Sequence, residues 1–133
     1  GYFTEAAQNG DDDSQAILGL IYCEGKYVPQ NLQQGLEYLF SASDDFDNSF
    51  AQYIIGKLHY DGIYVQRDIM ISIRYLHLAA QKKDSYALYL LGKIQIDGEF
   101  VTRDITSGIN YLTESANLNN LDAQQALDFL EID

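Results

Sequence analysis

Apolar residues recur at helical spacing along most of the chain. One such run falls at positions 51, 54, 55 and 58, and another follows at 75, 76, 79 and 80. Steps of three and four keep apolar side chains on one face of an α-helix, whereas a strand would alternate at every second residue. The sequence has one proline and few alternating runs. The pattern therefore predicts an all-α fold.

Glycines mark a repeat of about 36 residues. Gly19, Gly56 and Gly92 lie 37 and 36 positions apart, and another glycine follows each of them six positions later. In this register the chain divides into a half unit 1–13, repeats 14–48, 49–84 and 85–120, and a C-terminal half unit 121–133. A pair of helices cannot bury its own apolar face, so we expect the units to stack into a single solenoid domain.

The repeat also predicts where the helices begin and end. The first helix of each unit should end at Gly25, Gly62 or Gly98, where glycine adopts a left-handed C-cap. The second helix should begin at Asn31, Asp68 or Asp104, whose side-chain oxygens can accept hydrogen bonds from the first turn. Within the first helix, the repeated glycine predicts close contact with a neighbouring helix. Asp11 to Asp13 precede a helix and should stabilise its N-terminus.

The three units resemble the Sel1-like repeat family. The second unit carries the family's small residues and loop signature at Ala51, Gly56, Gly62, Val65 and Asp68, and the other two units match in phase. Tyrosine at 38, 75 and 111 replaces the usual tryptophan, and positions 27, 64 and 100 lack the usual second glycine. The resemblance implies a right-handed α-α superhelical solenoid that serves as an adaptor or scaffold for other proteins.

Composition narrows the classes of partner. With 20 acidic and 8 basic residues the net charge is −12, which disfavours nucleic acid and anionic lipid. No apolar run is long enough to insert into a membrane. The lone Cys23 excludes an intrachain disulfide and, with the absence of a glycosylation sequon, favours the cytoplasm. The chain begins at Gly1 and has no methionine before Met70, so we expect it to be a fragment of a longer protein.

Candidate chemistry is sparse. His59 and His77 fall on different helices, so we expect His59 to pack in the core and predict no metal site, cofactor, catalytic residue or small-molecule substrate. Cys23 should be a small apolar filler. Arg67 and Arg103 should pair with Asp68 and Asp104 or with the neighbouring unit.

The remaining indication of function is a set of surface residues that recur at the same positions of the repeat. By analogy with tetratricopeptide helix pairs, the residues three before, one after and four after the repeated glycine should face the concave groove. In the middle units these are Tyr53, Lys57, Tyr60, Tyr89, Lys93 and Ile96; the outer units contribute Ala16, Leu20, Cys23, Gln125, Phe129 and Ile132.

Two lysines one repeat apart, flanked by tyrosines, would suit a partner protein or an acidic peptide. The alternative interpretation is that the lysines only solubilise a helix and that tyrosine is common in this chain. The predicted function is a non-catalytic interaction scaffold that binds on its concave face. A different class remains open, in which the repeats form an accessory tract of a larger enzyme such as a bacterial mobilisation relaxase.

Overall fold

The chain folds into α-helices arranged as successive hairpins. A computed structural model describes residues 11–130, and within that range there are seven helices and no strand. They are α1 (Asp12–Glu24), α2 (Leu32–Phe46), α3 (Ser49–Asp61), α4 (Ile69–Gln81), α5 (Ser85–Asp97), α6 (Ile105–Asn117) and α7 (Leu121–Phe129). The all-α prediction is confirmed. Positions 1–10 of the predicted N-terminal half unit, and Ile132 of the predicted groove, lie outside the described residues.

Each unit is a hairpin of two helices, and the hairpins stack in chain order. The strongest packing joins α1 to α2, α3 to α4 and α5 to α6. Consecutive first helices also contact each other, α1 with α3 and α3 with α5. We call the surface formed by α1, α3, α5 and α7 the A-helix face. The buried apolar residues form two core clusters, one that includes Leu39 and Ile55 and one that includes Leu76 and Leu91.

The predicted helix ends are confirmed. Gly25, Gly62 and Gly98 all take left-handed backbone angles, with φ between 62° and 70°. Asn31 and Asp68 accept hydrogen bonds from the backbone N–H groups three residues later at 3.1 Å, as Asp104 does at 3.0 Å. Asp11 caps α1 in the same way, which confirms that the acidic run stabilises a helix N-terminus at this residue.

The repeated glycines lie where the two helices of a hairpin touch. A Cβ added to Gly56 would be 2.8 Å from Cγ and Cδ2 of Leu76 on α4. At Gly92 it would be 2.9 Å from Cγ of Leu112 on α6. Real side-chain carbons do not approach each other this closely, so only glycine permits the observed packing. The hydroxyl of Ser72 uses the same close approach to donate to the Gly56 carbonyl oxygen at 2.7 Å.

Polar contacts join neighbouring units as well. Asn48 begins α3, accepts a hydrogen bond from the Ala51 N–H at 2.8 Å, and donates through its side-chain amide to Asp12 and Asp13 of α1. Asn48 is buried, so these bonds are shielded from water. The amide therefore fixes the start of α3 against the first turn of α1.

Candidate interaction surface

The six predicted groove residues lie on two neighbouring helices of the A-helix face. Tyr53, Lys57 and Tyr60 belong to α3, and the other three, Tyr89, Lys93 and Ile96, belong to α5. Lys57 is exposed, whereas the remaining five are half-buried. The structure thus brings the six residues onto adjoining helices, with more of their surface engaged inside the protein than the sequence suggested.

The two tyrosines of α3 pack against the next unit. The ring of Tyr53 lies 5.6 Å from the Tyr86 ring, and the ring of Tyr60 lies 5.9 Å from the Phe100 ring in an edge-on arrangement. Burial, with a smaller contribution from the charge of Asp84, raises the pKa of Tyr53 to about 12. Its hydroxyl therefore stays protonated at neutral pH and can donate a hydrogen bond.

The two lysines already have neighbours. The ammonium of Lys57 lies 2.7 Å from Oδ2 of Asp61, one helical turn away. The ammonium of Lys93 lies 5.7 Å from the centre of the Tyr89 ring. Sequence reasoning overlooked the acidic member of this arrangement, although every first helix carries a carboxylate four positions after the lysine slot, namely Glu24, Asp61 and Asp97. The i, i+4 spacing from Lys57 and Lys93 could have revealed it.

In the outer units the groove assignment holds only in part. Ala16 and Cys23 are fully buried, so they belong to the core and not to the surface. The analogy failed there because both side chains are small enough for the chain to close over them. Cys23 meets the prediction that it fills a core position, since its Sγ would be 2.6 Å from a Cβ added to Gly35. Phe129, by contrast, is 88% exposed.

A large pocket opens on the A-helix face between α1 and α3. Its volume is about 640 Å³. Apolar side chains form most of the lining and four charged residues surround it; together they are Leu20, Ile54, Leu58, Ile63, Tyr64, Glu24, Lys26, Lys57 and Asp61. We call this the first-junction pocket. It is large enough to accept an apolar side chain of a partner.

A smaller pocket lies at the other end of the same face, between α5 and α7. Its volume is about 230 Å³. The lining comprises Tyr89, Lys93, Ile96, Asp97, Leu112, Ala126, Phe129 and Leu130. We call this the last-junction pocket. It includes all three predicted groove residues of α5, so a ligand there would touch the surface that the sequence indicated.

The remaining candidate residues have structural roles. His59 is buried, and its Nδ1 lies 2.9 Å from the Ile55 carbonyl oxygen, which confirms the expected core position. Arg67 does not pair with Asp68; it donates from Nε to the Tyr60 carbonyl oxygen at 2.8 Å and lies over the Phe100 ring at 4.7 Å. Of the two alternatives for this arginine, contact with the neighbouring unit is the one observed.

Metal-binding clusters and membrane-spanning helices are both absent from residues 11–130. No group of three or more His, Cys, Asp or Glu side chains in this range is placed to hold a metal ion. None of the helices in the range is both long and apolar enough to cross a membrane.

Comparison with known proteins identifies the repeat. The Sel1 repeat model matches residues 12–45, 49–84 and 85–120, which is most of the chain. The chain belongs to the Sel1 repeat family. The second and third matches have the bounds predicted from the glycine spacing, and the first begins two residues earlier and ends three residues earlier. No curated protein sequence matches the chain significantly.

Solved structures of Sel1 repeat proteins have the same fold. A Sel1 repeat protein from Oxalobacter formigenes is 25% identical with a TM-score of 0.81, covering 95% of this chain and 94% of its own. The protective antigen c5321 of uropathogenic Escherichia coli, which has an SLR fold, is 25% identical with a TM-score of 0.83; the match covers 97% of this chain but 27% of the antigen. Cysteine-rich protein B of Helicobacter pylori is 20% identical with a TM-score of 0.71 and 94% coverage of both chains, which shows the fold alone.

Members of the family share a general type of function. Sel1 repeat proteins are typically scaffolds for protein interaction and are generally non-catalytic. The all-α solenoid observed here is the fold of that family.

Proposed function

We propose that this chain is a non-catalytic interaction scaffold that binds a segment of a partner protein on its A-helix face, which the analogy with tetratricopeptide helix pairs predicts to be the concave side. The observation that carries the proposal is the coincidence of two features on that face. The six residues Tyr53, Lys57, Tyr60, Tyr89, Lys93 and Ile96 lie there in register, and both junction pockets open beside them. Apolar pockets with a few charged groups at their edge are typical of binding sites.

The side chains on this face suit recognition of a peptide. The pockets supply apolar surface, which provides most of the favourable free energy of association. The tyrosine rings are held by Tyr86 and Phe100, so little conformational entropy would be lost when a partner contacts them. The face is therefore partly organised before binding.

The charge expected of the partner depends on whether the lysines of this face are already paired. An acidic partner was expected because Lys57 and Lys93 recur at one repeat position. Since Lys57 is bonded to Asp61 at 2.7 Å, its charge is largely compensated within the protein. The proposal therefore concerns the binding face, and it does not require the partner to be acidic.

The test begins with capture of partners from a cell extract by the isolated chain, followed by titration of one identified partner. The double variant Lys57→Glu, Lys93→Glu reverses two charges on the A-helix face. Charge reversal at an interface changes both the affinity and the salt dependence of association. We expect the dissociation constant to change about tenfold or more, upward for an acidic segment and downward for a basic one.

The matched control is the double variant Arg74→Glu, Arg103→Glu, which makes the same change in net charge at exposed residues of α4 and the α5–α6 loop. Its dissociation constant should stay within about twofold of the parent value. Equal effects of the two double variants, or no effect of either in folded protein, would place the interface elsewhere. Circular dichroism and the urea midpoint verify that each variant is folded.

A further inference from the structure

We infer that the A-helix face recognises an extended peptide through two apolar side chains about six residues apart, each adjacent to a basic residue. One side chain would enter the first-junction pocket and the other the last-junction pocket. The inference rests on the proposed function, because it specifies what the same face binds.

The two pockets are the same site repeated two junctions apart. The first-junction pocket contains, from α3, the residues two before, one after and two after the repeated glycine: Ile54, Lys57 and Leu58. The corresponding residues of α7 are Ala126, Phe129 and Leu130, and all three line the last-junction pocket. Each pocket therefore lies between consecutive first helices, at α1–α3 and at α5–α7.

The residue four positions after the repeated glycine differs in size from one junction to the next. It is Cys23 at the first junction, Tyr60 at the middle one and Ile96 at the last. Only Tyr60 is aromatic there, and its ring packs on Phe100 of the next unit. This ring contact occupies part of the middle junction, which lies between the two pockets.

The residue one position after the repeated glycine also differs between the ends and the middle of the face. One residue after the repeated glycine position, the chain has Leu20, Lys57, Lys93 and Phe129 in turn. The apolar pair lies at the two ends, and each of its members lines one of the two pockets. The lysines lie between them, so a ligand would place apolar groups at the ends and polar groups in the middle.

Charge specifies the partner's chemistry. Each pocket has a carboxylate at the same repeat position, Glu24 at the first and Asp97 at the last, and neither forms an ion pair with any residue in the range 11–130. The equivalent Asp61, which also lines the first-junction pocket, is bonded to Lys57. Each pocket therefore has one carboxylate of this repeat position that forms no ion pair within residues 11–130. A basic residue beside each apolar side chain would complement them.

Backbone strain marks the first-junction pocket independently. Tyr64 lines that pocket with φ at +64°, in the left-handed region that bulky residues rarely adopt. The equivalent Tyr27 and Phe100 do not have positive φ. Strain of this kind persists only where surrounding structure enforces it, and it concentrates at binding sites.

The spacing of the two side chains follows from helix packing. Packed helices lie about 8–10 Å apart, so two steps between first helices cover about 16–20 Å. An extended chain rises about 3.3 Å per residue, which gives about five or six residues between the anchors. A helical ligand would need about 11–13 residues for the same span at 1.5 Å per residue.

An extended ligand suits the polar groups of the face better than a helical one. A helix has already paired most of its backbone N–H groups, whereas an extended segment must place them against acceptors. The free carboxylates of Glu24 and Asp97 can accept such bonds in addition to pairing with a basic side chain. We therefore commit to the extended form.

The probes are fluorescein-labelled synthetic peptides of serine and glycine that carry two leucines, each followed by arginine. Leucine spacings of three, six and twelve positions are compared by fluorescence anisotropy, with a peptide that has one leucine and with an acidic version that has glutamate for arginine. The peptide with a spacing of six should bind about tenfold to a hundredfold more tightly than the one-leucine peptide, because a second buried leucine contributes that much.

Two variants locate the anchors without touching the core. Ile63→Glu places a charge in the first-junction pocket and Phe129→Glu places one in the last; these residues are 48% and 88% exposed. Each should reduce binding of the two-leucine peptide to the one-leucine level. The control is Met70→Glu on α4, where the side chain is 74% exposed and lines neither pocket. It should leave affinity unchanged.

Three results would overturn the inference. They are tighter binding at a spacing of twelve, which means a helical ligand; tighter binding of the acidic peptide; and equal affinity of the one-leucine and two-leucine peptides. If a partner captured from extract still responds to Lys57→Glu, Lys93→Glu while no peptide of the series binds, the inference fails and the proposed function stands. If that partner responds to none of the A-helix variants, the proposed function fails as well.

Discussion

Replacing Gly56 by leucine should destabilise the protein, although leucine is the better helix former. Gly56 is inside α3, and a Cβ there would be 2.8 Å from two carbons of Leu76 and 3.2 Å from the Ser72 carbonyl oxygen. Favourable carbon–carbon contacts are about 3.5–4.0 Å. Leu76 is fully buried, so its side chain has no free space into which it could move. The helices α3 and α4 must therefore separate.

Three contributions decide the magnitude. Overpacking a core costs about 1–3 kcal/mol. Separation of the helices also weakens the buried hydrogen bond from Ser72 to the Gly56 carbonyl, which is 2.7 Å long and worth about 1 kcal/mol. The gain in helix propensity is slightly under about 1 kcal/mol. The net loss in the free energy of unfolding is therefore about 1–3 kcal/mol.

Urea denaturation followed by circular dichroism measures the effect, and a size exchange identifies its cause. Leu76→Ala alone should cost about 2–5 kcal/mol because it leaves a cavity. In the double variant Gly56→Leu, Leu76→Ala the new side chain can occupy that cavity. The sum of the stability losses in the two single variants should then exceed the loss in the double variant by at least about 1 kcal/mol. Thr113→Leu, at an exposed site of α6, is the control and should change stability by no more than about 0.5 kcal/mol.

Strict additivity of Gly56→Leu and Leu76→Ala would refute the reasoning, because it would mean that the two sites do not compete for the same space. Unchanged or raised stability of Gly56→Leu would refute it more directly. In either case the glycine would have been retained for a reason other than close packing.

Two further predictions concern helix caps. Asn48→Ala should lower the free energy of unfolding by about 1–3 kcal/mol and by more than Asn31→Ala, because Asn48 is buried and also bonds Asp12 and Asp13, whereas Asn31 is exposed; equal losses in urea denaturation would contradict this. Burial raises the pKa of Asp84, so its carboxyl group ionises at a higher pH in the folded protein than in the unfolded chain. The stability that this group contributes is present below the unfolded pKa of about 3.9, and it is lost as the pH rises through the raised folded pKa. Asp84→Asn keeps the acceptor for the Ala87 N–H and should therefore match the parent near pH 3 and exceed it at pH 7; lower stability at both pH values would show that the carboxylate is needed as a cap.

The fold was predictable because its determinants are local and repeated. A glycine at a helix end and an Asn or Asp at a helix start specify their own backbone geometry, so Gly62 and Asp68 could be assigned from the sequence. Three units in phase then reinforce each assignment. The close approach at Gly56 was predictable for the same reason, since a glycine in a helix interior costs stability unless packing requires it.

The surface was less predictable because it depends on contacts between units. Repeat position placed Ala16 and Cys23 in the groove, but small side chains allowed them to be buried completely. Nor does the sequence show that Arg67 crosses to Phe100 in preference to its neighbour Asp68. These outcomes depend on which side chain of the next unit contacts the position. The sequence of a single repeat does not specify that contact.

Variation at equivalent positions is therefore what distinguishes this chain from others with the same solenoid. The helices repeat and single backbone positions such as Tyr64 differ, so most differences between junctions come from side chains. Cys23, Tyr60 and Ile96 occupy one position and differ in size, and the tyrosine is the one whose ring packs on Phe100 of the next unit. Cys23 is fully buried, so Tyr60 is the member of this set that can be made smaller without disturbing a closed core position. Such a change would alter the middle junction alone, and the spacing of the anchors together with the charge beside them would then select the ligand.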